Sequence, residues 1–135
     1  MNEDSGPLTV YAVRPSGHAA DQIEAEHQRL QQRSGLDTAD AWEDALMDAI
    51  ASLATLPERC RVAPENDLFQ RVRPGQTLRV LLDKQTRSSA AWRILFSISS
   101  PNGSDPPTVE VLRVLHGSQA PMDRWIMEEG DYAHE

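Results

Sequence analysis

The sequence predicts an α+β fold: an N-terminal strand, an antiparallel helical hairpin, then an antiparallel three-stranded meander. Two observations support this prediction. Apolar residues recur at helical spacing on both sides of Gly35, through residues 20–53. Three strand-like runs with polar connections then follow between residues 77 and 116. Helices and strands that occupy separate blocks of a chain are typical of the α+β class.

The first strand and the first helix have clear boundary signals. Leu8–Arg14 reads LTVYAVR, in which β-branched and aromatic residues cluster and alternate, and Pro15 is expected to stop the strand. Ser16 is suited to cap a helix that ends before Gly35. The inward stripe of this helix is predicted to contain Ala20, Ile23, His27 and Leu30.

A second helix is expected from a cap at Asp37 or Thr38 to the stop at Pro57. About three residues would connect it to the first helix, so the two helices should lie antiparallel. One face carries a continuous apolar stripe, made of Trp42, Ala45, Leu46, Ala49, Ile50 and Leu53.

The second half of the chain is predicted to be a loop followed by a meander. Residues 59–75 show no period and contain prolines, which indicates a loop that crosses from the hairpin to the sheet. The three strands are expected at Thr77–Leu82, Ala91–Ile98 and Thr108–His116. In the middle strand the bulky set should face the helices, namely Trp92, Ile94, Phe96 and Ile98. Arg93 is then expected on the opposite, open face of the sheet.

Composition limits the classes of function. The 135 residues carry a net charge of −8, with twelve arginines and one lysine, and this sign opposes broad attraction to nucleic acid. The stretch Arg59–Arg113 is locally basic, with eight arginines and one lysine against five acids. Cys60 is alone and no nucleotide or zinc motif occurs, so no disulfide, metal or cofactor is expected. No apolar run has membrane-spanning length and the N-terminus lacks a signal-peptide layout, so we expect a cytoplasmic protein.

Three basic side chains and one histidine are the candidates for chemistry. Arg93 on the open face could contact a phosphate, a carboxylate or only solvent, with Arg79 and Arg113 on the strands to either side. The alternation leaves open which face Arg113 takes. His116 ends the last strand, where it could serve as a general acid or base or simply close the strand.

The order of these segments resembles the RelE/ParE superfamily of toxins from type II toxin–antitoxin pairs, and most of all its ParE or plasmid-stabilisation branch. The resemblance rests on YAVRPSGHAADQIEAEHQRLQQRSG at residues 11–35, SLATLPER at residues 52–59, WRILFSI at residues 92–98 and VEVLRVLHGS at residues 109–118. It implies a toxin domain at residues 8–118. Residues 119–135 are then a C-terminal extension, in which the residue pattern suggests a short helix around residues 122–129 and an acidic tail.

The resemblance implies a cognate antitoxin as partner and leaves three functions open. ParE-like members resemble inhibitors that bind DNA gyrase, whereas RelE-like members cleave messenger RNA in the ribosome. In the second case Arg93, Arg79 and His116 would be the catalytic residues. The third alternative is a homologue that binds an antitoxin and is not toxic.

Arg113, Trp125 and Ile126 are the expected contacts with target or antitoxin, although the last two could instead dock on the domain itself. The acidic charge and the lack of a tyrosine near the last strand favour protein binding over RNA cleavage.

Overall fold

The computed structural model describes residues 10–83, 92–99 and 107–116. The predicted order of one strand, a helical hairpin and a three-stranded meander is confirmed in this part of the chain. Two 3₁₀ turns, Ser52–Ala54 and Pro57–Arg59, follow the hairpin. In chain order the elements are β1 (Ala12–Pro15), α1 (Gly17–Ser34), α2 (Leu36–Ala51), β2 (Arg61–Val62), α3 (Asn66–Val72), β3 (Leu78–Asp83), β4 (Trp92–Ser99) and β5 (Thr108–His116).

The hairpin turns on a single glycine. Gly35 has φ +96° and ψ 163°; its N–H donates to the carbonyl of Gln31 and its own carbonyl accepts from the N–H of Ala39. It therefore ends α1 and begins α2. The predicted three-residue connection and the cap at Asp37 or Thr38 were wrong, because a glycine in this conformation reverses the chain in one step.

The ends and faces of the two helices also differ in part from the prediction. Ser16 caps α1 as expected, since its Oγ accepts from the N–H of Ala19 at 3.1 Å. Ala19 is buried whereas Ala20, assigned to the inward stripe, is exposed. Helix α2 ends at Ala51 rather than at the proline, and its buried face consists of Ala39, Trp42, Leu46 and Ile50.

The described strands form one mixed sheet in the order β1-β5-β4-β3-β2. β3, β4 and β5 pair antiparallel in sequence order, as the meander requires, and β1 pairs parallel with β5. The face of this sheet that packs against α1 and α2, called the helix side below, carries the larger core. Its buried members include Ile23, Trp42, Leu46, Ile50, Ile94, Phe96, Val109, Val111 and Val114.

The second face of the sheet is covered, which the sequence prediction missed. Residues 59–75 are not a loop throughout: they contain β2 and α3. Phe69 of α3 is fully buried in a second core, together with Ala63, Leu78, Val80, Leu95, Leu112 and Leu115. A seven-residue helix makes only about two turns, so its apolar period is too short to recognise. Helix α3 therefore covers part of the face on which Arg93 lies.

Candidate functional site

The position of every candidate on β5 depends on a β-bulge. Leu95 of β4 lies opposite Arg113, but the next residue, Phe96, lies opposite Val111, so Leu112 is the extra residue. A bulge shifts the alternation of side chains by one. Val111 and Val114 consequently both face the helices, while Arg113 faces α3. Simple alternation along Thr108–His116, which left the face of Arg113 open, therefore does not hold across the bulge.

Helix α1 holds this bulge in place. The hydroxyl of Ser16 donates to the carbonyl of Leu112 at 3.1 Å, and the N–H of Val114 donates to the side-chain oxygen of Gln22 at 3.0 Å. Backbone groups that a bulge removes from the ladder need such partners when they are buried. The N-cap and the first turns of α1 therefore supply hydrogen-bond partners to the two residues that flank Arg113.

Arg93 forms an ion pair with a carboxylate from the same chain. Its Nη2 lies 2.8 Å from each oxygen of Glu65, the residue that precedes α3. The side chains of Arg93 and Glu65 are 24% and 13% exposed. Water and salt screen a pair this enclosed less than a surface pair. The guanidinium that the resemblance assigns to a phosphate is thus engaged by a glutamate.

Arg113 is buried, with 2% of its surface exposed. Its Nη1 donates to the carbonyl of Leu112 at 2.8 Å, and it lies opposite Leu95 in the second core. A direct contact with a target or an antitoxin needs an accessible side chain. The expectation that Arg113 is such a contact disagrees with its burial.

Arg79 lies on the helix side of the sheet, near the 3₁₀ turn. Its Nη1 donates to the carbonyl of Cys60 at 2.8 Å and more weakly to that of Glu58 at 3.5 Å.

The hydroxyl of Tyr11 donates to the carboxylate of Glu58. This hydrogen bond lowers the pKa of Glu58 and raises the pKa of Tyr11. Burial raises the pKa of the Cys60 thiol, which disfavours a reactive thiolate.

His116 packs against aromatic rings on the helix side. It lies opposite Trp92, with the two ring centroids 5.0 Å apart in an edge-on arrangement, and Trp42 lies 5.3 Å beyond Trp92. Such edge-on contacts stabilise aromatic packing. His116 is therefore one end of an aromatic row.

The three residues proposed for catalysis do not converge. Arg93 lies on the α3 side of the sheet, whereas His116 and Arg79 lie on the helix side. Arg79 is opposite Phe96 and His116 is opposite Trp92, four residues away along β4, or about 13 Å. Trp125 and Ile126 lie outside the described residues. Within the described ranges, no three His, Cys, Asp or Glu side chains could together hold a metal ion.

Sequence reasoning missed the acids that hold the basic residues. Besides Glu65, Glu110 pairs with Arg73 at 3.0 Å, and the Arg73 guanidinium lies 6.0 Å from the ring centre of Phe69. Both glutamates belong to the five acids of the basic stretch 59–113. Two glutamates within a stretch so rich in arginine could have indicated ion pairs, because charges that fold into a protein are usually paired.

Comparison with known proteins decides the family. Residues 13–121, about four fifths of the chain, match the family described as ParE toxin of type II toxin-antitoxin system, parDE. The chain belongs to the ParE toxin family. The predicted relationship to the RelE/ParE superfamily is confirmed, and the chain is a toxin of the toxin–antitoxin class.

The ParE fold is also found among solved structures. A chain from the chromosomal ParDE TA system of P. aeruginosa is similar, with a TM-score of 0.55 and 12% sequence identity. The match covers 79% of this chain and 96% of that one. No curated protein matches. In the part of the chain that the structure describes, no helix is both long and apolar enough to cross a membrane.

Proposed function

We propose that this ParE-family toxin arrests growth by binding a cellular protein, and that a cognate antitoxin neutralises it by binding. DNA gyrase is the target that the family relationship suggests. RNA cleavage would require cationic and acid–base groups gathered around one phosphate. Inhibition by binding requires only a surface that is complementary to the target protein.

The observation that supports this proposal best is the dispersal of Arg93, Arg79 and His116. Stabilisation of a phosphorane needs cations within hydrogen-bond distance of the same oxygens. Arg93 is instead paired with Glu65 at 2.8 Å, and His116 packs on Trp92 on the other side of the sheet.

The overall charge supports the same proposal. The net charge is −8, so long-range electrostatics repel the messenger RNA and the ribosome. Electrostatic repulsion of this kind weakens binding to RNA much more than it weakens binding to a protein surface.

Induced expression in a bacterial host tests the proposal. We expect the wild type to arrest growth, a neighbouring antitoxin gene to relieve the arrest, and Arg93→Ala with His116→Ala to leave it intact. The folded state of the double variant is checked by circular dichroism. Relief of arrest by that folded variant would instead indicate a ribonuclease. No arrest by soluble wild type would indicate a non-toxic homologue.

A biochemical measurement then identifies the target. Purified protein is added to DNA gyrase in a supercoiling reaction and, separately, to translating ribosomes with a labelled messenger RNA. Inhibition of supercoiling with intact messenger RNA is the expected result. Cleavage of the RNA with unaffected supercoiling contradicts the proposal.

A further inference from the structure

A polar cavity of about 360 Å³ lies at the end of the sheet where β1, β5 and β4 meet. Its lining consists of Arg14, Pro15, Ser99, Thr108 and Glu110. The volume is that of a small-molecule pocket, and the lining is mainly polar, unlike the two apolar cores of the sheet. The proposed function uses none of these residues, and they are called the sheet-end cavity below.

Strand pairing brings the polar side chains of this cavity to one face. Arg14 of β1 lies opposite Glu110 of β5, and Thr108 of β5 lies opposite Ser99 of β4. Residues that are directly paired, or two apart in one strand, have side chains on the same face. Val109, between the two β5 residues, is buried in the core on the helix side, so the four polar side chains lie on the α3 side.

The charge at this end of the sheet is positive. Arg73, which follows α3, takes up the carboxylate of Glu110, since its Nη1 lies 3.0 Å from Oε1. Arg14 is exposed, and within residues 10–83, 92–99 and 107–116 no carboxylate forms an ion pair with it. Two arginines against one glutamate leave one positive charge. The hairpin, by contrast, contains eight acids and two arginines in residues 17–51, which is −6 of the total −8.

The donors of the cavity match a phosphate group. The Ser99 hydroxyl lies 3.5 Å from the carbonyl of Thr108, which is long for a hydrogen bond between oxygens, so it can turn to a ligand. A guanidinium offers two parallel N–H donors, and a phosphate monoester has three terminal oxygens. Arg14 can bind two of these oxygens and a hydroxyl of the cavity the third. A carboxylate has only two oxygens and would leave the hydroxyls unused.

We propose that the sheet-end cavity binds a small phosphorylated molecule that also carries hydroxyl groups, as a sugar phosphate does. Arg14 holds the phosphate together with the hydroxyls of Ser99 and Thr108. Glu110 accepts a hydrogen bond from a hydroxyl of the ligand. The inference goes beyond the proposed function, because such a molecule would bind whether or not the chain arrests growth.

A phosphate at the end of an RNA strand has the same chemistry as the phosphate of a free sugar phosphate. The net charge of −8 repels a polyanion more strongly than a molecule with one phosphate. The small molecule is therefore the favoured source.

Titration of the ¹⁵N-labelled full chain with ribose 5-phosphate, followed by the amide shifts in NMR spectra, tests the proposal. Ribose, inorganic phosphate and a 5′-phosphorylated strand of five uridines are titrated in parallel. The cavity variants are Arg14→Gln, and Ser99→Ala combined with Thr108→Val. The matched variant Arg61→Gln removes an exposed arginine from β2, the strand at the opposite edge of the same sheet. The spectra also show whether each variant is folded.

We expect ribose 5-phosphate to bind the wild type with a dissociation constant of about 1 mM and to shift the amides of the cavity residues most. Arg14→Gln should weaken binding by at least about tenfold, because a charge-assisted pair is lost. Loss of the two hydroxyls should weaken it by about threefold. Arg61→Gln should change it by less than about twofold, because salt screens a distant charge. Inorganic phosphate should bind more weakly than ribose 5-phosphate, and ribose should not bind.

Four results overturn the proposal. Equal weakening by the two arginine variants would show diffuse attraction to exposed positive charge. Inorganic phosphate that binds as tightly as ribose 5-phosphate would show that the cavity recognises no hydroxyl group. Tighter binding of the uridine strand would make a nucleic acid the ligand. No saturable shift at the cavity residues would show that the cavity takes no phosphate. Growth arrest enters none of these results, so they are independent of the proposed function.

Discussion

At the scale of single residues, neighbouring charges determine what each arginine can do. Arg93, Arg73 and Arg79 look equivalent in the sequence, but their partners in the structure differ. Arg93 pairs with Glu65, and Arg73 pairs with Glu110 near the ring of Phe69. Arg79 donates to backbone carbonyls instead. A guanidinium is a useful ligand for phosphate only when its donors are accessible. The ion pair of Arg93 with Glu65 is therefore the residue-scale feature that most directly opposes nuclease chemistry.

The enclosed ion pair of Glu65 should matter more for stability than a surface pair. Glu65→Gln leaves Arg93 without its counter-charge under α3, and we expect a loss of about 1–3 kcal/mol in the free energy of unfolding. Glu26→Gln, which breaks the pair with the 55%-exposed Arg29, should cost clearly less, because water and salt screen an exposed pair. Urea unfolding of both variants checks this. Equal losses would mean that enclosure does not strengthen the Arg93 pair.

The hydrogen bond between Tyr11 and Glu58 should give a defined pH dependence. The pKa of Glu58 is held below its ordinary value of 4.5, first by the Tyr11 hydroxyl. Its stabilising contribution is therefore complete above that value and is lost as pH falls through the lowered pKa. The pKa of Tyr11 is raised above 10.0 by the same bond, so its contribution is complete below 10.0 and is lost above the raised pKa.

Tyr11→Phe tests this pH window. We expect the variant to be less stable than the wild type at neutral pH, and the difference to shrink in acid. A carboxyl NMR titration should show the pKa of Glu58 rising toward its ordinary value in the variant. An unchanged Glu58 pKa would assign the shift to its own backbone and Arg79 instead.

At the scale of elements, one glycine and one bulge decide how the helices meet the sheet. Gly35 reverses the hairpin, and the bulge at Leu112 receives its hydrogen-bond partners from the start of α1. The short helix α3 closes the second face through Phe69. These three features place the charged residues, although none of them lies in a predicted site.

Substitution of the two hairpin glycines should have opposite effects. Gly35 has φ +96° and ψ 163°, a region occupied almost only by glycine, so Gly35→Ala should cost about 1–3 kcal/mol. Gly17 lies in the first turn of α1 with open space around it, so Gly17→Ala should stabilise by about 0.4–1 kcal/mol. Urea unfolding of both variants measures the two changes in the free energy of unfolding. Two changes of the same sign would mean that the turn conformation is not what requires glycine.

At the scale of the whole molecule, charge is distributed by element. The hairpin carries −6 of the total −8, and the basic residues concentrate in the stretch that forms β2 through β5. Glu110 and Glu65 pair with Arg73 and Arg93 on the α3 side of the sheet. The molecule therefore has an acidic helical hairpin, while part of its basic charge is paired with acids of the same chain.

This distribution predicts weak affinity for RNA. A labelled 20-nucleotide uridine strand should bind the wild type with a dissociation constant above about 100 μM at physiological salt, weaker than ordinary non-specific binding. Anisotropy at two salt concentrations measures it. Micromolar binding that falls with salt and is removed by Arg93→Ala would contradict both this prediction and the dispersal argument.

The sequence by itself determined the N-terminal strand, the helical hairpin, the three-stranded meander, their order along the chain, and the family. Long periodic stripes such as Trp42, Leu46 and Ile50 identify their helix without help from distant residues, because helical spacing is a local property. The helix-facing set Trp92, Ile94, Phe96 and Ile98 was read correctly for the same reason, since alternation along a strand is also local.

Only the tertiary structure decided the faces of β5 and the surroundings of the arginines. The bulge at Leu112 depends on pairing with β4 and on Ser16 and Gln22, which lie about ninety residues earlier in the chain. Helix α3 is too short to show a period, and its burial comes from contacts with β3, β4 and β5. Pairing register and charge pairing are interactions between distant segments, so no local pattern records them.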